Sequence, residues 1–311
     1  MEHPTLMKMA EFAGEKDAHE ATIQYITDKL SFLKKGEKVL ILFYVKEPDR
    51  IGSMFAEAVR RAGAEPVLWM EDVRWNTLLR VAFSSRATTI IGPPLIILGL
   101  SKLAKYKRTP LYIRNVVTAG YPCLDWMLDG IVKGLDCRSW GCYEPGAGPV
   151  VAGFSCGESR GVHLRDDVYV AQIVDSSGKE VPAGGIGEIL LYQKDHPETR
   201  YHSHIRARLE NKPCRCGNPA PRLVDISHGK NIDEDVANLG QYLHSWTSIL
   251  DCAIRKGPYG LEMELTVFPG EKLPELPSCA KQIIRPWNPE KDFPYMYIPQ
   301  QIGSPIVYDT H

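Results

Sequence analysis

Val39-Leu40-Ile41-Leu42-Phe43-Tyr44 is an unbroken apolar run of six residues. A strand with one wet face alternates apolar and polar side chains. A short continuous run therefore points to a strand covered on both faces, as in a parallel sheet. Upstream, residues 18–33 carry Ile23, Ile26, Leu30 and Leu33 at helical spacing, and Lys34-Lys35-Gly36 supplies a stop. Downstream, Met54 to Ala62 is a helical segment closed by Gly63, and Glu65-Pro66-Val67-Leu68-Trp69-Met70 is a second strand. Strand, helix and strand in that order imply parallel pairing through a crossover, so the N-terminal part is expected to be an α/β core. Thr88 to Ile91 reads as another strand, Pro93-Pro94 opens a helix through Ala104, and Arg114 to Gly120 is a further strand and turn.

The character changes near residue 140. Gly141 to Gly148 reads as a glycine-rich turn that holds Glu144, and Val168 to Val174 and Glu188 to Tyr192 read as hairpin strands around Val181-Pro182-Ala183-Gly184-Gly185. Residues 199–222 read as a loop, Asn238 to Leu250 as a helix, Gly260 to Phe268 as a strand, and residues 269–311 as a proline-rich surface tail. The division expected from this is an α/β core over 1–149, a β-rich subdomain over 150–227 and a small α+β C-terminal domain over 228–311.

Bulk composition excludes several classes. With 311 residues, 44% hydrophobic and 24% charged, the chain can bury a large core. Lys+Arg is 37 against Asp+Glu 38, a formal net charge of -1, which gives no bulk attraction for nucleic acid or acidic lipid. Met1 to Gly14 lacks the apolar core of a signal peptide, and Thr89 to Leu100 is too short to span a bilayer and is broken by Pro93-Pro94. A cytoplasmic protein is expected, in which clustered members of the eight cysteines are metal ligands rather than disulfides.

The cysteines that cluster are Cys156, seven residues before His163, and Cys214-Arg215-Cys216. Thiolates and a neutral imidazole are the donor set of tetrahedral zinc, so Cys156, His163, Cys214 and Cys216 are expected to form one structural Cys3His site, with His202 or His204 as substitute ligands. Cys123, Cys137, Cys142, Cys252 and Cys279 have no partner spacing.

From about residue 85 to 235 a series of short motifs resembles the phenylacetate–CoA ligase branch of the adenylate-forming enzymes. In order they are Thr88-Thr89-Ile90-Ile91-Gly92-Pro93-Pro94, Val117-Thr118-Ala119-Gly120-Tyr121-Pro122 and Trp140-Gly141-Cys142-Tyr143-Glu144. Then come Cys156 with Gly161-Val162-His163-Leu164, Gln172-Ile173-Val174-Asp175 and Val181 to Glu188. The last are Arg200-Tyr201, the Cys-x-Cys-Gly, and Arg222 to Lys230. The resemblance implies an α/β adenylate-forming core with a small β-rich subdomain and a small α+β C-terminal domain. It implies attack of a carboxylate on the α-phosphate of ATP, release of pyrophosphate and passage of the acyl group to CoA or another acceptor. Magnesium falls to Glu144, and the adenine to Gly120 and the Gly141–Glu144 turn. Nucleotide-binding positions follow at Tyr121, Tyr143, Asp175 and Lys230. The implied partners are a small carboxylic acid or its adenylate, and a second copy or a biosynthetic partner protein.

The chain also departs from that pattern. No Ser/Thr/Gly-rich phosphate loop precedes residue 85, which marks the chain, taken as complete from Met1, as a shortened member. Arg200-Tyr201 leads into His202-Ser203-His204-Ile205, with an apolar side chain in place of the ribose-binding carboxylate. Lys230 replaces the lid-hinge arginine, Tyr121 replaces an acid, and Lys272 and Lys281 are remnants of the late lysine. Two further functions fit these losses. One is a non-catalytic, zinc-stabilised binding or scaffold subunit. The other is altered chemistry with His204, beside His202, as general base.

Overall fold

A computed structural model describes residues 16–43, 51–68, 74–120, 123–143, 151–228 and 234–292. The apolar run forms β1 (Lys38–Ile41), parallel to β2 (Glu65–Leu68) on one side and β3 (Thr89–Gly92) on the other. Val39 and Ile41 pack with Ile23, Ile26 and Leu30 of α1 (Lys16–Lys29) and with Met54 and Phe55 of α2 (Ile51–Arg61). Leu40 and Leu42 pack on the opposite face, against α3 (Trp75–Ser85), α4 (Pro94–Tyr106) and α5 (Asp125–Leu135). Two-sided burial is why Val39 to Leu42 are all apolar. The sequence reading passed over α3 and α5, although Trp75, Leu78, Leu79 and Ala82 recur at helical spacing and are buried.

The parallel part has the order β2-β1-β3-β4-β5, with β4 (Asn115–Thr118) and β5 (Arg138–Tyr143) completing it. At β5 the sheet changes kind. Arg138 to Gly141 pair parallel with β4, while Cys142 and Tyr143 pair antiparallel with β6 (Gly153–Phe154). Gly141 to Tyr143 are therefore strand, not turn, and Glu144 to Val150 lie outside the described residues. The antiparallel part runs through β7 (Val162–Leu164), β11 (Arg222–His228), β10 (His196–Glu210) and β9 (Ile186–Gln193) to β8 (Tyr169–Val174), making an eleven-stranded sheet. The expected β8–β9 hairpin is present in antiparallel register. The expected loop over 199–222 is instead most of β10, the connection 211–221, and the start of β11.

The C-terminal unit holds α6 (Glu234–Ser245), β12 (Ile249–Gly257), β13 (Gly260–Val267) and β14 (Lys281–Pro286), the strands forming a separate three-stranded sheet in that order. Val236, Leu239 and Leu243 bury against Ile249, Cys252, Ile254, Met263 and Leu265. The helix stops at Ser245, because Ile249 and Leu250 belong to β12. The proline-rich segment is not merely a surface tail: β14 pairs parallel with β13, and Trp287 enters the core against α3 and α4. No helix among the described residues is long and apolar enough to cross a membrane.

Candidate functional site

Two short turns and one register put four ligand-type side chains together. Cys156 lies in the connection between β6 and β7, His163 is the central residue of β7, and Cys214 and Cys216 lie between β10 and β11. β7 pairs antiparallel with β11, Arg222 opposite His163 and Leu223 opposite Val162, which brings the cysteine connection over the imidazole. Gly161 allows this approach. Its φ is +92°, and a Cβ there would stand 2.5 Å from the Leu223 carbonyl oxygen.

The ligand atoms of Cys156, His163, Cys214 and Cys216 all lie within 4.8 Å of one another. Cys156 Sγ is 3.6 Å from Cys214 Sγ, and Cys216 Sγ is 3.4 Å from His163 Nε2. A tetrahedron with metal–sulfur bonds of about 2.3 Å has edges of about 3.8 Å, so these separations suit one ion. His163 is 2% exposed, and its Nδ1 lies 3.0 Å from the Ala220 carbonyl oxygen. A carbonyl only accepts, so Nδ1 carries the proton and donates, leaving the Nε2 lone pair towards the thiols.

The thiols divide their charge unevenly. Burial raises the Cys214 thiol, but hydrogen bonds led by those from the Cys216 backbone and Ser159 outweigh it and bring Cys214 down to about 5. The Cys216 thiol is raised, by burial first and then by its Cys214 and Cys156 neighbours, although the Asn218 backbone N–H donates to its sulfur at 3.4 Å. One negative charge is welcome in the cluster and a second is resisted, a conflict that a bound cation removes.

A second set of expected residues lies at the carboxyl ends of the parallel strands, where open α/β sheets bind ligands. Gly120 follows β4 with φ +96°, and a Cβ there would stand 2.7 Å from Phe43 Cε1, beyond the end of β1. Gly141 lies on the neighbouring strand opposite Thr118. Its N–H donates to Ser155 Oγ at 2.7 Å, and its carbonyl accepts from the Ser155 N–H at 2.8 Å. Tyr143 is 2% exposed, and burial lifts its hydroxyl above the usual phenol range. Tyr121, Glu144 and Lys230 lie outside the described residues, as do the side chains of His202 and His204.

Asp175 stands apart from both groups, in the turn after β8, the last strand of the sheet. Its carboxylate accepts from the Ser177 N–H at 2.8 Å, the Ser177 hydroxyl at 2.6 Å and the Lys179 N–H at 3.1 Å. These bonds lower its pKa and commit it to its own turn. Ile205 is buried with Tyr143, Ile189 and Leu191.

The sequence reading missed Ser155, the Ala220 carbonyl and Arg160. Arg160 Nη1 pairs with Asp125 at 2.6 Å and Nη2 with Asp129 at 3.3 Å, tying the Cys156 turn to α5. Nothing local marks these three, because each acts through a contact that only the fold creates.

No family model and no curated protein matches the sequence. Solved structures do. A 2-hydroxyisobutyryl-CoA ligase in the postadenylation state is similar with TM-score 0.71 and 11% identity, over 96% of this chain and 71% of that one. The same ligase in complex with 2-HIB-AMP gives 0.65 and 13%, over 82% and 60%. A benzoate CoA ligase from Burkholderia xenovorans gives 0.57 and 11%, over 85% and 62%. The chain thus has the fold of the adenylate-forming ligases, the large central sheet and small separate sheet included. It spans 60% of the length of the ligase bound to 2-HIB-AMP.

Proposed function

We propose that the protein activates a carboxylic acid, or transfers an activated acyl group, at the carboxyl ends of β3, β4 and β5. The observation that supports this most is the glycine at φ +96° after β4, which rests directly against Phe43 and has no side chain to block the strand ends. In this reading Gly120, Tyr121, Gly141 and Tyr143 hold the nucleotide, with Lys230 as a further nucleotide position and Asp175, expected there from the resemblance, left to its own turn. Glu144 would hold magnesium, which neutralises phosphate charge when bound. His204 is the proposed base for an altered reaction, and CoA or another thiol the acceptor. Cys156, His163, Cys214 and Cys216 hold zinc as a closed structural site, since four protein ligands leave no open position. The functional division remains 1–149, 150–227 and 228–311, in a cytoplasmic protein whose thiols stay reduced.

A second reading has its own support. The apolar residue next to His204, where the resemblance asks for a ribose-gripping carboxylate, is buried in the core as Ile205, and Asp175 is occupied by its own turn. A non-catalytic binding subunit of a biosynthetic complex would need neither group.

Calorimetric titration with Mg-ATP, AMP and a stable acyl-sulfamoyl adenosine separates the two. The first reading expects saturable binding of the analogue and its loss in Gly120→Val. No binding of any of the three would overturn it in favour of the second. Metal analysis of the same sample expects about one zinc per chain, falling well below that in Cys214→Ser. Chelation of the metal is expected to lower Tm, because a structural ion stabilises the folded state that binds it.

A further inference from the structure

The opposite end of the parallel sheet carries a cavity that the proposed reaction does not use. Helices in such a sheet run against the strands, so α4 and α5 both finish at the amino ends of β4 and β5. Between their last turns lies an open, shallow cavity of about 330 Å³, lined by Ser101, Lys105, Arg108 and Thr109 from α4 and its exit and by Gly134 and Leu135 from α5. Leu111 also lines it and leads in three residues to Arg114, just as Leu135 leads to Arg138. The Arg138 N–H donates to the Arg114 carbonyl at 2.8 Å, so the two arginines stand side by side at the mouths of β4 and β5.

Lys105, Arg108, Arg114, Lys133 and Arg138 are all exposed, and none of them is in an ion pair among the described residues. Elsewhere several arginines are paired, Arg61 with Glu20 and Glu57, Arg160 with Asp125 and Asp129, Arg208 with Glu210 and Asp225, and Arg285 with Glu264 and Asp292. In a chain of net charge -1, five exposed cations in no ion pair among the described residues, brought to one end of the sheet by neighbouring elements, segregate charge. Complementing helix dipoles explains Lys105 and Lys133, each in a last turn. It does not explain Arg108, beyond the end of α4, nor Arg114 and Arg138, at strand beginnings. Two helix C-termini present about half a negative charge each, which five unit cations outweigh.

The backbone of Arg108 is also fixed in place. It adopts φ +51° and closes α4 through its N–H to the Lys105 carbonyl, with the Thr109 N–H reaching back to Ala104. The cavity floor is rigid, because α5 approaches so closely at Gly134 that a Cβ would meet Ser101 Oγ at 2.7 Å. Ala104, Leu111 and Leu135 add an apolar wall. Guanidinium and ammonium groups around a small, partly apolar cavity suit a phosphate carrying a short carbon skeleton.

We infer that this cavity binds a phosphate ester, remote from and independent of the carboxyl ends of the strands. The same chemistry is offered by a free phosphorylated metabolite and by a phospholipid headgroup. Glycerol 3-phosphate tests the first source, and phosphatidylcholine vesicles with and without phosphatidylglycerol test the second. The probes are applied to the full chain, to Lys105→Gln/Arg108→Gly, and to the charge-matched control Lys179→Gln/Lys212→Gln on the antiparallel part. Glycine accepts the φ of Arg108, and all four positions are exposed, so both variants should fold. Either probe binding the wild type and the control, but about tenfold or more weaker to Lys105→Gln/Arg108→Gly, supports the site and names its source. Binding of neither probe, or equal binding to all three proteins, overturns it.

Discussion

Gly161 connects a backbone angle to the cluster of Cys156, His163, Cys214 and Cys216. Any β-carbon at this position would collide with the Leu223 carbonyl at 2.5 Å and with Val224 Cγ1 at 2.6 Å, and φ +92° is itself costly for an L side chain. Leu223 pairs with Val162, one residue before His163, so relief of the clash must separate β7 from β11 just where the imidazole meets the Cys214–Cys216 turn. Gly161→Ala should cost roughly 1–3 kcal/mol in urea unfolding. It should also lose metal to a competing chelator at lower chelator concentration than the wild type. Unchanged stability together with unchanged metal retention would refute the coupling. That these four side chains would come together was legible from cysteine and histidine spacing. The carbonyl of Ala220, which sets the tautomer of His163, was not, because every residue has a carbonyl and only strand register selects this one.

Strands differ in how openly they declare themselves. β1 was legible because both faces are buried and no polar residue interrupts it. β10 was not. Its register shifts between His196 and Arg200, again between His202 and Arg206 against β9, and between Arg206 and Arg208 against β11. Each shift breaks the two-residue alternation that marks a strand, so a polar sequence with shifts imitates a loop. β14 hides for another reason, being an edge strand whose residues are mostly exposed. It nonetheless delivers the chain to the core at its C-terminal end. Trp287, the residue after Pro286, is buried in a ring cluster in which Tyr106 stacks on Phe268 at 4.3 Å and meets Trp287 edge-on at 6.2 Å. Trp287→Ala should destabilise by about 3–5 kcal/mol through the cavity it leaves. Trp287→Phe should cost far less, since the buried indole N–H makes no hydrogen bond among the described residues and none would be lost. Chemical denaturation of the three proteins checks the order. A phenylalanine variant as unstable as the alanine one would show that the indole N–H has an acceptor after all.

The same contacts decide whether the C-terminal unit is an independent domain. Leu250, Phe268 and Trp287 share one core with α3, α4 and α5, and hydrogen bonds cross the boundary from the Lys102 ammonium to the Ile249 carbonyl at 2.9 Å and from Trp75 N–H to the Asp292 carbonyl at 3.0 Å. A shared core cannot be opened without exposing it, so both units should unfold in one transition. Lys102 supplies a pH signature of that joint. Burial lowers its ammonium from 10.5 to about 8, against the opposing pull of Cys252 and Asp251. Between those two values the unfolded chain holds a proton that the folded chain has released. The unfolded state therefore binds more protons there, and stability contributed by this group rises with pH from about 8 to 10.5. Below pH 8 the buried charge carries its full penalty, and a shift of this size corresponds to about 3 kcal/mol. Burial of Cys252 acts the other way, raising its thiol so that its contribution falls as pH climbs. The Lys102 effect must hence be read as a difference from Lys102→Met, which keeps the length of the side chain and removes the charge. Relative to wild type, that variant should be most favoured near pH 7 and lose its advantage by about 2–3 kcal/mol towards pH 10, within a single unfolding transition. A stability difference that stays flat over this range would mean that Lys102 titrates as a solvated lysine. Two separate transitions would mean that the C-terminal unit is not part of the core.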